Sequence, residues 1–327
     1  MVVQMNAIWN KFKRMLKFTF VASKRLNELL PAQVDYTQLE SKRGIIKRLN
    51  APLTILGMII VIGLIFVAIF APWLTPYSYQ DLRLGIGQLG TEWKPPSLLH
   101  VLGTTTFGRD VLGRILFGVR TSLTMGLEAV LISLVLGVLI GLVSAYSGGW
   151  IDNILMRIMD ILLAFPSLIL AIVFISVFVT PAHPTPSVSY IILAFGILGI
   201  PYYARLIRGS VLSVKQNMYI ESARVSGASS TRIMFRHILV NCMSPIIVSF
   251  SFDIGGVILD LAAISFLGFG DPTMIEWGKD LLDAQVKIIN APWATIFPGI
   301  AILITVLGFM LLGDGLRDAL DPRLKNL

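Results

Sequence analysis

Cysteine is nearly absent: Cys242 is the one residue of its type in 327. An intramolecular disulfide is thereby excluded, and so is any multi-cysteine metal site. The three histidines, His100, His183 and His237, are scattered and form no ligand cluster. Charge is also scarce. Asp, Glu, Lys and Arg make up 14% of the chain, against roughly 25% in soluble domains. No glycine loop ending in Gly-Lys-Ser/Thr occurs, so the chain is not expected to hydrolyse ATP itself. Nucleophile elbows and zinc-protease motifs are missing too, and with them the usual signs of an enzyme. No internal repeat or low-complexity tract is seen. The N-terminus is basic and long, and no short apolar core with a small-residue cleavage site follows it, so no cleavable signal peptide is expected.

What the chain does hold is apolar sequence. Hydrophobic residues make up 55% and mean hydropathy is +0.78. Six runs approach the roughly 20 apolar residues a membrane-crossing helix needs: about Leu53–Trp73, Leu123–Ala145, Ile161–Val179, Val188–Ala204, Ser244–Phe269 and Ala294–Leu312. Pro166 lies near the start of the third. The reading is an all-α polytopic membrane protein with six transmembrane helices.

The net charge of +8 is clustered beside the apolar runs, which points to membrane topology and away from nucleic acid. Ten Lys/Arg stand against three acids before the first run. Arg205, Arg208, Lys215, Arg224, Arg232 and Arg236 stand against Glu221 alone between the fourth and fifth. The positive-inside rule places both segments, and with six spans the C-terminus, in the cytoplasm. Segment 76–120 is then external despite five basic residues, because long translocated loops obey the rule weakly. Residues 1–50 read as a cytoplasmic basic segment and 51–327 as the transmembrane domain, with a cytoplasmic loop at about 205–241. Within the first segment Ile8, Phe12, Met15, Thr19, Ala22 and Leu26 share a helical face opposite Lys13, Arg14, Lys17, Lys24 and Arg25. That pattern suits a surface helix on anionic membrane lipid.

Three sets of residues are candidates for function. The first is the stretch 219–241, which is polar, basic and helix-forming, with Gly227 free to end one helix or admit a partner backbone. Glu221, Ser222 and Ala223, then Gly227, then Ile233 and His237, resemble the EAA loop of permease subunits of binding-protein-dependent ABC importers. The departures are Ser222, where alanine is common, and Val240, where proline is common. The second set is Gly103-Thr104, then Gly108-Arg109-Asp110, with Arg114, Gly118 and Arg120 following. It is similar to the segment before span two in the dipeptide/oligopeptide/nickel branch of that family, with Thr105 where an acid is usual. Arg109 and Asp110 are also suited to local capping or pairing. The turn Ser147-Gly148-Gly149-Trp150, the stretch Ser265–Gly270 and the tail from Gly313 to Arg323 resemble the same branch.

The third set is Asp253 and Asp260, seven residues apart and so on one face of span five. A bare charge there is costly, so each either lines a pathway or is satisfied by neighbours. The branch's usual glutamate aligns with Leu261 instead.

The resemblance implies a type I ABC importer permease fold with a cytoplasmic coupling helix. The chain would bind no cofactor itself. Two partner ATPase subunits would bind ATP and Mg, a second homologous permease would complete the pore, and an extracytoplasmic binding protein would deliver substrate to the 103–110 segment. Di- or oligopeptides are the expected cargo, with nickel or oligosaccharides as alternatives. An ion-coupled secondary transporter using Asp253 and Asp260 is the reading from a different class, and a membrane scaffold or sensor a third.

Overall fold

The computed structural model describes residues 49–85, 91–179 and 185–320. The surface helix expected in the first 48 residues lies outside these, as does the end of the tail.

Helix α1 (Pro52–Leu74) is an uncharged run that opens with proline in its first turn, where a missing N–H costs nothing. Its exposed face is almost wholly aliphatic and aromatic, as a lipid-facing span must be. A short α2 (Tyr79–Leu84) follows, opened by a capping box between Ser78 and Asp81.

The next helix, α3 (Val111–Ser147), has 37 residues, about 55 Å of rise. That is longer than a hydrocarbon core of about 30 Å. It begins twelve residues before the expected span two, so much of the segment read as external loop is helix. Asp110 starts it by accepting the Gly113 N–H at 2.7 Å. Lys215 closes it by donating to the carbonyls of Ala145 and Tyr146, a cation placed at the negative end of the helix.

The third expected span is corrected. Instead of one helix over Ile161–Val179, α4 (Gly149–Leu163) and α5 (Ser167–Phe178) meet at 92°. Pro166 lacks an N–H and disfavours helical geometry at Phe165, so the hydrogen-bond ladder breaks there. Helices α6 (Val188–Leu198) and α7 (Ile200–Val214) form one span, Val188–Val214. It continues ten residues past the expected end at Ala204.

Then come α8 (Met218–Val225) and α9 (Ser230–Phe269), 40 residues long with wide turns at Ile233–Ile238 and Ser265–Phe269. The expected 205–241 loop is therefore mostly helix, with connections only at 215–217 and 226–229. Helix α10 (Trp277–Ala284) lies between α9 and α11 (Trp293–Leu320). Five such spans, α6 with α7 counted as one, are long and apolar enough to cross a membrane, and the bent α4–α5 pair counts as a sixth if it is one span.

Helix α3 is the hub, packing on α1, α6, α7 and α9, while α11 joins α9 to α1. Small residues set the spacing. At Gly141 a Cβ would run into the Ala204 carbonyl, so α3 and α7 touch backbone to backbone.

Candidate functional site

Helix α8 is anchored by one side chain. Ile220 is 0% exposed. It sits in a cluster with Leu142 of α3, Ile207 and Val211 of α7, and Ile233, Ile238 and Ile246 of α9. A push on α8 is therefore felt by three spans at once, because close-packed interiors transmit displacement. The opposite side of α8 is open: Met218 is 86% and Val225 90% exposed, with Tyr219 beside them. These three side chains give α8 an exposed apolar face.

The sequence-predicted residues divide between these two sides. Glu221 is exposed and makes no ion pair or hydrogen bond among the described residues. Ser222 is exposed, its hydroxyl turned back to the Met218 carbonyl at 3.0 Å. Ala223 packs at the edge of the Ile220 cluster. Gly227 ends the unit at φ +80° with open space around it. That left-handed backbone is one glycine adopts without strain, and it lets the Ala228 N–H reach back to the Ala223 carbonyl at 3.1 Å. Ile233 is buried and belongs to the anchor. His237 is half-buried, and its carbonyl accepts from the Asn241 side chain at 2.6 Å. Sequence reasoning missed Ile220, Met218 and Val225. An apolar residue just before the Glu-Ser-Ala triplet was the available signal for the anchor.

On the other end of the molecule, segment 91–114 folds into a buttress against α10 and α11. Gly103 lies so close to the Trp293 ring that a Cβ would fall 2.6 Å from it. Thr104 is buried and its hydroxyl bonds the Thr91 carbonyl at 2.7 Å, while its own carbonyl receives the Trp293 indole at 3.1 Å. Gly108 is buried against Thr91. Asp110 caps α3 and also holds His100 Nδ1 at 3.0 Å. The local reading therefore fits Asp110. Arg109 behaves differently: it reaches Asp283 at 3.8 Å and stacks over Phe107. Leu98, Leu99, Val101 and Phe107 are the large apolar side chains this segment exposes.

One pair was not singled out from sequence as a pair. Arg114 binds Asp280 through Nε at 2.6 Å and Nη2 at 2.5 Å, and both side chains are buried. The arginine also donates to the Leu82 carbonyl at 2.5 Å. Beside it Glu276 starts α10 by accepting N–H groups of Gly278 and Lys279 at 2.9 and 3.0 Å. Burial pushes the Glu276 carboxyl up to about 7, against the pull of those two N–H bonds.

A pH effect follows. The folded chain holds the Glu276 proton more tightly than the unfolded one does. Stability therefore falls as pH rises from about 4.5 to about 7 and is flat above that. The expected change is about 3 kcal/mol, and Glu276→Gln should abolish it. Thermal unfolding of detergent-purified protein at pH 5 and pH 8 reads both; equal pH dependence in the variant would refute the assignment.

Within the spans, the half-buried Asp253 of α9 faces the Tyr203 hydroxyl of α7. Asp260 is half-buried on the same side of α9. Neither makes an ion pair among the described residues. No group of three or more His, Cys, Asp or Glu able to hold a metal is found among them either.

Residues 137–326 match the family described as binding-protein-dependent transport system inner membrane component. Residues 49–92 match the N-terminal transmembrane domain of oligopeptide transport permease C. A dipeptide transport system permease of Alkalihalophilus pseudofirmus is 42% identical, covering 90% of this chain and 94% of its own length. A glutathione transport system permease of Pectobacterium atrosepticum is 44% identical over 81% and 85%. A di/tripeptide transport system permease of Pseudomonas aeruginosa is 40% identical over 83% and 88%. The chain belongs to the binding-protein-dependent transport system inner membrane components, as a permease subunit of the dipeptide/oligopeptide ABC importer type.

Proposed function

We propose that this permease moves di- or oligopeptides inward by alternating access, driven by two ATPase subunits that dock on α8 from the cytoplasm. The N- and C-termini lie on that side, and the 91–110 segment faces the binding protein outside. A second, homologous permease completes the pathway, with Asp253 and Asp260 on the side of α9 that lines it. ATP and Mg stay on the ATPase subunits.

The observation that carries this reading is the two-sided build of α8. One side is exposed and apolar, with Glu221, unpaired among the described residues, beside it. The other is fixed by Ile220 into three spans. A motor that binds the first side moves the second. The substrate class is supported by the peptide and glutathione cargo in the names of relatives at 40–44% identity.

Glu221→Lys places a cation on the docking side, and Gly227→Trp puts a bulky side chain at a φ that disfavours any Cβ. Both should abolish co-purification of the ATPase subunits while leaving membrane insertion intact. Retention of both ATPases at wild-type ratio would defeat the docking role.

A further inference from the structure

We infer that the groove between α4 and α7 binds the headgroup of an anionic phospholipid of the cytoplasmic leaflet, with the acyl chains lying along α4. The leaflet assignment rests on the orientation proposed above.

Helix α4 has three faces. Met159 turns inward against Ile200 and Ala204. Trp150, Ile154, Ile158 and Ile161, at i, i+4, i+8 and i+11, form an exposed apolar stripe. Between them runs a polar edge that closes, with α7, a cavity of about 270 Å³.

Three guanidiniums line that cavity, from Arg157, Arg205 and Arg208, against the carboxylates of Asp152 and Asp160. Arg208 takes Asp152 through two bonds of 2.7 Å. Arg205 meets Asp160 at 2.5 Å, but both side chains are half exposed to solvent, and such pairs are weak. Arg157 is exposed and makes no ion pair or hydrogen bond among the described residues. The cavity is thus left with one unmatched positive charge next to an apolar stripe.

A phosphodiester matches the charge, since guanidinium binds phosphate oxygens in pairs. Acyl chains match the isoleucines, and the indole of Trp150 suits the interface between headgroup and tail. A protein covering the same face would bury Arg157 with no counter-charge from this chain, which is costly. The anionic inner leaflet is the occupant that satisfies both halves of the site.

Native mass spectrometry of the intact transporter complex tests this, with phosphatidylglycerol or phosphatidylcholine added in mild detergent. The wild type should retain phosphatidylglycerol in preference. Arg157→Gln should weaken that retention about fivefold, the usual effect of one basic residue at an anionic surface. Ile158→Ser should weaken it as well, and neither change should alter ATPase co-purification. Equal retention of the two lipids, or an unaffected Arg157→Gln complex, would overturn the proposal. Displacement of the lipid by millimolar inorganic phosphate would show a free-phosphate site instead. Cross-linking of Ile158→Cys to the second permease, with no lipid retained, would overturn it in favour of a protein interface. Labelling of Arg157→Cys in sealed cells by an impermeant maleimide would refute the orientation and leave the lipid preference to be judged by the first measurement.

Discussion

Arg114→Met is expected to cost about 3–5 kcal/mol of stability, the usual penalty for removing one partner of a buried ion pair. Asp280 would be left in a site where burial disfavours charge, with no other cation in direct contact among the described residues. Its nearest alternative, Arg109, reaches toward Asp283 at 3.8 Å instead. The Leu82 carbonyl would lose its donor too, loosening α2 from α3. Asp280→Asn should be damaging for the converse reason, stranding the guanidinium. The double change Arg114→Met with Asp280→Leu should recover much of the loss, because matched apolar groups replace a buried pair at little net cost. Thermal unfolding of the purified complex and protease sensitivity of segment 270–292 provide the readout. If Arg114→Met unfolds within about 1 kcal/mol of wild type, the pair is a minor contact and α10 is held on α3 by other contacts, chiefly the hydrogen bond from the Trp277 indole to the Ile115 carbonyl at 3.2 Å.

The second large effect is on coupling. Ile220→Ala removes the buried side chain that fastens α8 to three spans, a change worth about 2–5 kcal/mol in a tight core. The exposed side proposed for docking, with Met218, Glu221 and Val225, is untouched, so the ATPase subunits should still bind and turn over. What should fail is transmission. In proteoliposomes the ratio of peptide taken up to ATP hydrolysed is expected to fall at least about tenfold, the effect of roughly 1.4 kcal/mol of lost linkage. Val225→Ser should do the reverse, weakening ATPase association while leaving the unfolding temperature unchanged. An unaltered uptake ratio in Ile220→Ala would mean that force enters the spans elsewhere, with the start of α9 at Ser230–Arg232 the next place to look.

Much of this was legible in the chain. Runs of about 20 uncharged residues have one stable use, so the spans announce themselves, as do the basic segments beside them. Gly227 could be read as a helix end because few other residues tolerate its backbone, and the structure gives it φ +80°. Asp110 could be read as a cap because capping is local, involving the N–H three residues on. Pro166 was visible near the start of the third run, which was nevertheless expected as one helix, because a proline does not state an angle. The 92° turn depends on what α4 and α5 pack against: α7 for the one and α6 for the other.

By itself, then, the sequence determined the class of molecule, the position of most of its apolar helices, and that of a short helix between basic ends. All of these follow from local composition and from rules spanning a few turns. Tertiary structure decided the rest. It matched Arg114 with Asp280 across 166 residues and pressed Trp293 onto Gly103. It also turned Ile220 inward while Met218 and Val225 stayed out. Such choices rest on which helix lies beside which, and no spacing along the chain encodes a neighbour that packing alone supplies.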